Sequence, residues 1–344
     1  MLLEALQGPA TAAALLSADK ERYAELAADL DQHEPHALLT VARGSSDHAA
    51  HYMAYLVMAR LGRLVTSLPM SLVTLYGSQL RCQGLVSLAF SQSGQSPDLI
   101  APTRYFRAGG ARTVALVNDA QSPLAMASQW VLPLHAGVET SVAATKSFIA
   151  QLVAGARLVA QWEGQREGRL EGKSAMLAGL QALPDALQTA SRCDWSAALP
   201  VLVPADKLFV IGRGTGLAVA MEAALKLKET CGIQAEAYSG AEVKHGPMAL
   251  VDSGYPMLIL APRGPAQAGL LALAQDMRER GARVLLAAPA GTAGAELPLS
   301  PTAHEDLDPI SVVQSFYPMV EALARARGLD PDMPRHLAKV TRTH

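Results

Sequence analysis

The chain has 344 residues, half of them hydrophobic and 17% charged, with a formal net charge of −2. That length suits two domains of ordinary size, and the near-neutral balance is not the basic footprint of a nucleic-acid binder. Three scattered cysteines, Cys82, Cys193 and Cys231, lack metal-ligand or redox spacing and predict a reducing, cytoplasmic setting. No basic-then-apolar leader opens the chain and no charge-free apolar run of about 18 residues predicts a membrane span.

In chain order, residues 1–35 are Ala/Leu-rich with interspersed acids and predict helix. A short apolar strand over 37–42 ends at Arg43-Gly44-Ser45-Ser46, and a helix follows over 48–61. Leu64–Leu68 predicts strand, Ser71–Arg81 helix, Leu85–Phe90 strand, Pro97–Ala108 helix, then strands at Thr113–Val117 and Trp130–Leu134. Strands alternating with helices imply βαβ units and a parallel sheet, and continuously apolar strands imply that both sheet faces are covered. Ser147–Trp195, with a polar middle at Gly164–Glu171, predicts connecting helices. The pattern then repeats. Lys207–Ile211 leads into Arg213-Gly214-Thr215-Gly216 as the first strand led into Arg43–Ser46, with Gly44 and Gly214 170 residues apart. Met257–Ala261 echoes Leu85–Phe90, and Arg283–Ala287 echoes Thr113–Val117. The chain therefore reads as a duplicated α/β domain. Its boundaries are expected at 1–34 for an N-terminal helical segment, 35–160 and 197–328 for the two domains, 161–196 for a helical linker, and 329–344 for a tail or lid.

The chemistry concentrates at strand ends. Ser91-Gln92-Ser93-Gly94-Gln95-Ser96 follows a buried strand and precedes a helix starting at Pro97. A glycine turn, free helix N–H groups and neutral hydroxyls suit a phosphate monoester on a small molecule. The second copy of this loop lacks the serines, so one phosphate site per chain is expected. Arg43–Ser46 is either an ordinary capped turn or a second wall of that site. Glu222, Lys226 and Glu229 share one helix face; they are either a solvated ion-pair ladder or a reactive group. The stretch from Ala235 to Pro247 predicts mostly irregular backbone, with His245 held on a loop before Gly246-Pro247 and able to carry a proton near neutrality. The tail from Asp332 to Thr341 is either a frayed basic end or a lid delivering Lys339, whose amine becomes a nucleophile if withdrawn from water.

Together, Ser91–Gly94, Glu139–Lys146, Glu222–Glu229, Ala235–Tyr238, Lys244–Pro247 and Pro334–Lys339 resemble the sugar isomerase (SIS) domain family, in particular the isomerase portion of glucosamine-6-phosphate synthase. The resemblance covers nearly the whole chain. It implies two tandem SIS domains, each a five-stranded parallel sheet flanked by helices in a flavodoxin-like three-layer arrangement. It implies that Ser46, Ser91, Gln92, Ser93 and Ser96 hold the phosphate, with Val142 and Ala338 also facing the sugar. Glu229 is then the base shuttling a proton between C1 and C2, with Lys226 steadying its charge. Lys339 handles the open-chain carbonyl, and His245 helps open the ring from a neighbouring subunit, so a homodimer is expected. Two departures stand out: Leu2 occupies the place of the synthase's N-terminal catalytic cysteine, and Arg43 stands where the family often has Cys. Without a glutaminase half, the expected direction is release of ammonia. The leading expectation is a hydrolytic glucosamine-6-phosphate deaminase, requiring no cofactor or metal, with a phosphorylated amino sugar as its partner and neither nucleic acid nor membrane. Deglycation of a fructosamine 6-phosphate, action on galactosamine 6-phosphate, and a non-catalytic sugar-phosphate sensor are the alternatives.

Overall fold

The computed structural model describes residues 1–166 and 175–339. The remainder of the expected polar linker segment, 167–171, and the end of the tail, 340–344, lie outside the described residues. Two compact units are present. One comprises residues 10–139, 146–181 and the chain from Ala338 onward; the other comprises Met1–Pro9, Thr140–Thr145 and Ala182–Leu337.

The first unit is built on β1 (Ala37–Val41), β2 (Val65–Ser67), β3 (Leu85–Ser91), β4 (Arg112–Val117) and β5 (Trp130–Pro133). All neighbours are parallel, in the order β2-β1-β3-β4-β5. The three central strands are almost wholly buried, as expected for a parallel sheet covered on both faces. On one side the Lys146–Arg166 helix packs against the Ser45–Leu56 and Lys20–His33 helices. This helix is buried along nearly its whole length, with Gly155 allowing Met53 to approach closely. It is thus a core element of this unit rather than a connector. Burial on every side marks a helix enclosed by protein.

The helix expected over Ser71–Arg81 is only Ser71–Thr74. Gly77 turns to a φ of +58°, and the Tyr105 hydroxyl takes over the backbone hydrogen bonding, accepting from the Leu80 N–H at 2.7 Å and donating to the Ser78 carbonyl at 3.0 Å. A tertiary side chain outcompetes the local helix here.

The second unit carries β6 (Lys207–Gly212), β7 (Gln234–Ser239), β8 (Pro256–Leu260), β9 (Arg283–Pro289) and β10 (Leu297–Leu299). Its parallel order, β10-β9-β8-β6-β7, is that of the first sheet read from the other edge. β6, β8 and β9 match β1, β3 and β4, as the sequence echoes require. β7 corrects the expectation of irregular backbone after Cys231. Gln234 to Ser239 alternates polar and small residues and resembles no buried strand, yet it occupies the edge position held by β2 in the first unit. Edge pairing to β6, residue for residue from Lys207–Gln234 to Gly212–Ser239, makes it a strand. A long buried helix, Asp308–Ala326, packs against the Gly216–Cys231 helix and completes the core.

Candidate active site

Sheets of order 2-1-3-4-5 open a crevice at the carboxyl ends of strands 1 and 3, where the chain leaves in opposite directions. In the first unit that position is bounded by the loop after β1 and the loop after β3. Ser46, Ser91, Gln92, Ser93 and Ser96 all line a cavity of about 300 Å³ there, together with Arg43 and Lys339.

The polarity of this cavity follows from its hydrogen bonds. Ser91 Oγ accepts from the Gly94 N–H at 2.9 Å, and Ser93 Oγ accepts from the Gln95 N–H at 3.3 Å. Ser46 Oγ accepts from Nε2 of Gln151 at 2.9 Å. A hydroxyl that accepts from an N–H keeps its own proton available to donate. Ser96 stands at the N-cap of the Pro97–Ala108 helix without making a side-chain capping bond, so its hydroxyl is not spent on capping. Gly94 is held at φ +65°, and a Cβ there would stand 2.5 Å from Ser122 Cβ and 2.9 Å from Val117 Cγ2. Only glycine fits.

Lys339 reaches the cavity from the tail, its Nζ 3.3 Å from Oε2 of Glu139. Glu139 is fully buried and accepts from the Ser147 N–H at 3.2 Å and the Ser147 hydroxyl at 2.5 Å. The withdrawal of Lys339 from water that the tail suggested is incomplete: a quarter of its side chain is exposed, and a carboxylate pairs with it. Ala338 is exposed and does not line the cavity.

The other expected residues belong to the second unit. The Gly216–Cys231 helix carries Glu222, Lys226 and Glu229 on one face. The solvated-ladder reading is excluded, because Glu222 and Lys226 are almost entirely buried. Lys226 Nζ lies 3.2 Å from Glu222 Oε1 and 2.6 Å from Glu229 Oε2. Burial pushes Lys226 toward the neutral form, but the two carboxylates outweigh it and hold its pKa above the ordinary value. Glu229 keeps about a fifth of its side chain exposed, 21%, on the wall of a cavity of about 720 Å³ whose lining includes Arg335 and His336. A buried ammonium thus anchors a carboxylate whose other face meets open space.

His245 is exposed and follows a short 3₁₀ turn, Glu242–Lys244, with Gly246 at φ +131° behind it. Val142 is half-buried in the Thr140–Thr145 segment. In the second unit the loop matching the serine cradle is filled by its own chain. Arg263 grips the buried Asp308 with two bonds, at 2.8 and 2.9 Å, and donates to the Thr302 carbonyl at 2.6 Å. An ion pair occupies the position where the first unit keeps hydroxyls.

Gln151, Glu139 and Asp98 were missed as site residues. Gln151 had a readable signal: a lone amide in the otherwise apolar run Phe148–Val153 must find a partner. Among the described residues no cluster of His, Cys, Asp and Glu could hold a metal, and no helix is long and apolar enough to cross a membrane.

The SIS domain model matches residues 33–160 and 201–298. The chain is 38% identical over 308 residues to the glutamine–fructose-6-phosphate aminotransferase (isomerizing) of Symbiobacterium thermophilum, covering 87% of this chain and 50% of that protein. It therefore spans about half the length of the curated relatives it matches. Among solved structures, a candidate phosphosugar isomerase from Silicibacter pomeroyi DSS-3 is 42% identical with a TM-score of 0.89, over 96% of this chain and 99% of that one. The C-terminal domain of glucosamine-fructose-6-phosphate aminotransferase from Francisella tularensis shares the fold at 24% identity and a TM-score of 0.86, over 97% and 98% of the two chains.

Proposed function

The chain belongs to the SIS domain family, and from that premise we propose that it is a phosphosugar isomerase acting on an amino-sugar phosphate, converting glucosamine 6-phosphate and water to fructose 6-phosphate and ammonia. The observation that carries the reading is the cavity lined by Ser46, Ser91 and Ser93, whose hydroxyls each accept from an N–H and keep their own protons available to an anion.

Ser46, Ser91, Gln92, Ser93 and Ser96 anchor the phosphate, with Val142 and Ala338 serving the sugar. His245 assists ring opening. Glu229 removes the proton from C2 of the open-chain aldose and returns it to C1, so that the C2 amine becomes an imine. Water then hydrolyses the imine, giving the ketose and ammonia with atoms and charge balanced. Lys226, 2.6 Å away, holds Glu229 in place, and Lys339 handles the open-chain carbonyl. The names of the relatives support the substrate class: the aminotransferase acts, by its name, on fructose 6-phosphate. A homodimer in which His245 serves the neighbouring subunit's site, working in the cytoplasm, belongs to the same proposal.

The test is ammonia release from glucosamine 6-phosphate and galactosamine 6-phosphate, beside amine release from a fructosamine 6-phosphate. Turnover of the first above the other two supports the reading. Turnover only of a fructosamine 6-phosphate would make the chain a deglycase, and tight binding with no turnover of any would make it a sensor.

A further inference from the structure

We propose that Arg43 is an anion ligand of the serine cavity and sets its requirement for a phosphorylated sugar, with Asp98 as the carboxylate that aims it. The proposal deepens the phosphosugar reading and rests on it. Arg43 closes β1 and lines the same cavity as Ser91, Ser93 and Lys339. Its side chain is 60% exposed, and one guanidinium nitrogen lies 3.4 Å from Oδ2 of Asp98.

Three features make the pair more than a surface salt bridge. First, the serine hydroxyls supply donors but no charge, and the other cation on the cavity wall, Lys339, is committed to Glu139 at 3.3 Å. Second, Asp98 stands in the first turn of the Pro97–Ala108 helix, directly after the anion loop, with its side chain only 16% exposed. Uncompensated there, it would repel the phosphate that the loop attracts. Arg43 is one group that offsets that charge. Third, the pair is long and its cation is largely in solvent, so it holds the guanidinium weakly. A dianion entering the cavity can draw on the remaining donors of a planar fork suited to phosphate. The same sugar without its phosphate offers nothing to this group.

The experiment is calorimetric titration of the full chain with inorganic phosphate at low and high salt, comparing wild type with Arg43→Ala, Arg43→Lys, and Arg43→Ala combined with Asp98→Asn. Circular dichroism reports folding of each variant. Arg43→Ala should weaken phosphate about tenfold, the size of one charge-assisted contact, and flatten the salt dependence. Arg43→Lys should retain more of the affinity. Neutralising Asp98 in the Arg43→Ala background should recover part of the loss, because the negative charge beside the anion loop is then gone. Wild-type affinity in folded Arg43→Ala, or no recovery in the double variant, overturns the assignment while leaving the cavity a phosphate site. Failure of the wild-type chain to bind phosphate overturns the phosphosugar reading itself.

Discussion

The ammonium of Lys226 lies 2.6 Å from Oε2 of Glu229 and joins it, one turn away, to the fully buried Glu222. Two carboxylates share one cation, and only Glu229 reaches open space. The arrangement separates the environments: Glu222 and Lys226 are buried together, and Glu229 keeps one face open. Lys226→Met should therefore be costly out of proportion to its size, because it removes the cation 3.2 Å from the buried Glu222 carboxylate. A loss of about 3–5 kcal/mol is expected, as for other broken buried pairs, measured by urea denaturation. Glu229→Gln should keep the fold and sugar-phosphate affinity but cut kcat by roughly a hundredfold or more. Wild-type turnover in that variant would remove Glu229 as the base.

The same triad fixes a pH dependence. The folded pKa of Lys226 is raised above its ordinary value of 10.5. A raised cation contributes stability that is fully present below the unfolded pKa and is lost as pH rises through the folded one. Wild-type stability should hold through the neutral range and fall only above about pH 10.5, with Lys226→Met lacking that alkaline component. Denaturation midpoints at neutral and strongly alkaline pH measure the difference.

Gln151 touches no cavity wall itself but sets the orientation of Ser46, donating to its Oγ at 2.9 Å. Gln151→Glu is nearly isosteric and, once ionised, can only accept, so it would turn the Ser46 proton away from the anion. The expected result is a KM for sugar phosphate raised about tenfold with kcat little changed, as one hydrogen bond to a charged group is lost. An equal fall in kcat with unchanged KM would contradict this positioning role.

Gly94 turns the serine loop at φ +65° against Ser122 and Val117. Gly94→Ala should cost about 1–3 kcal/mol from backbone strain and overlap. It should also abolish the gain in melting temperature that the proposed phosphate site predicts for the wild-type chain with phosphate. Thermal denaturation with and without phosphate reads both effects.

The three thiols should differ in reactivity. Burial pushes the Cys231 thiol up to about 11 and raises Cys82 as well. Both are enclosed, whereas Cys193 is half-buried. At neutral pH iodoacetamide should therefore label Cys193 first, with Cys82 and Cys231 protected until the chain unfolds, as mass spectrometry of the peptides would report.

Much of this architecture is legible in the residue order. Apolar runs at 37–42, 85–90, 207–211, 257–261 and 283–287 predict strands, which the structure places at 37–41, 85–91, 207–212, 256–260 and 283–289, because a doubly covered parallel strand has to be continuously apolar. The serine-rich loop stands out because no packing requirement asks for three hydroxyls and a glycine at a strand end. β7 was hidden, because an edge strand is specified by its neighbour β6 rather than by its own hydrophobicity. The fate of Ser71–Arg81 was hidden too, since the Tyr105 hydroxyl that ends the helix comes from a different element.

By itself the sequence determined the duplication, the alternation of strand and helix, and the residue types able to hold a phosphate and move a proton, since these depend on local pattern and composition. Only the tertiary structure decided which of them act together. Burial turned the Glu222–Lys226–Glu229 spacing from a solvated ladder into an anchored carboxylate. Partners more than 50 positions away hold Ser46 through Gln151 and brought Arg43 to Asp98. Burial and hydrogen-bond direction are properties of packed neighbours, and the residue order names the neighbours only after the sheet has assembled.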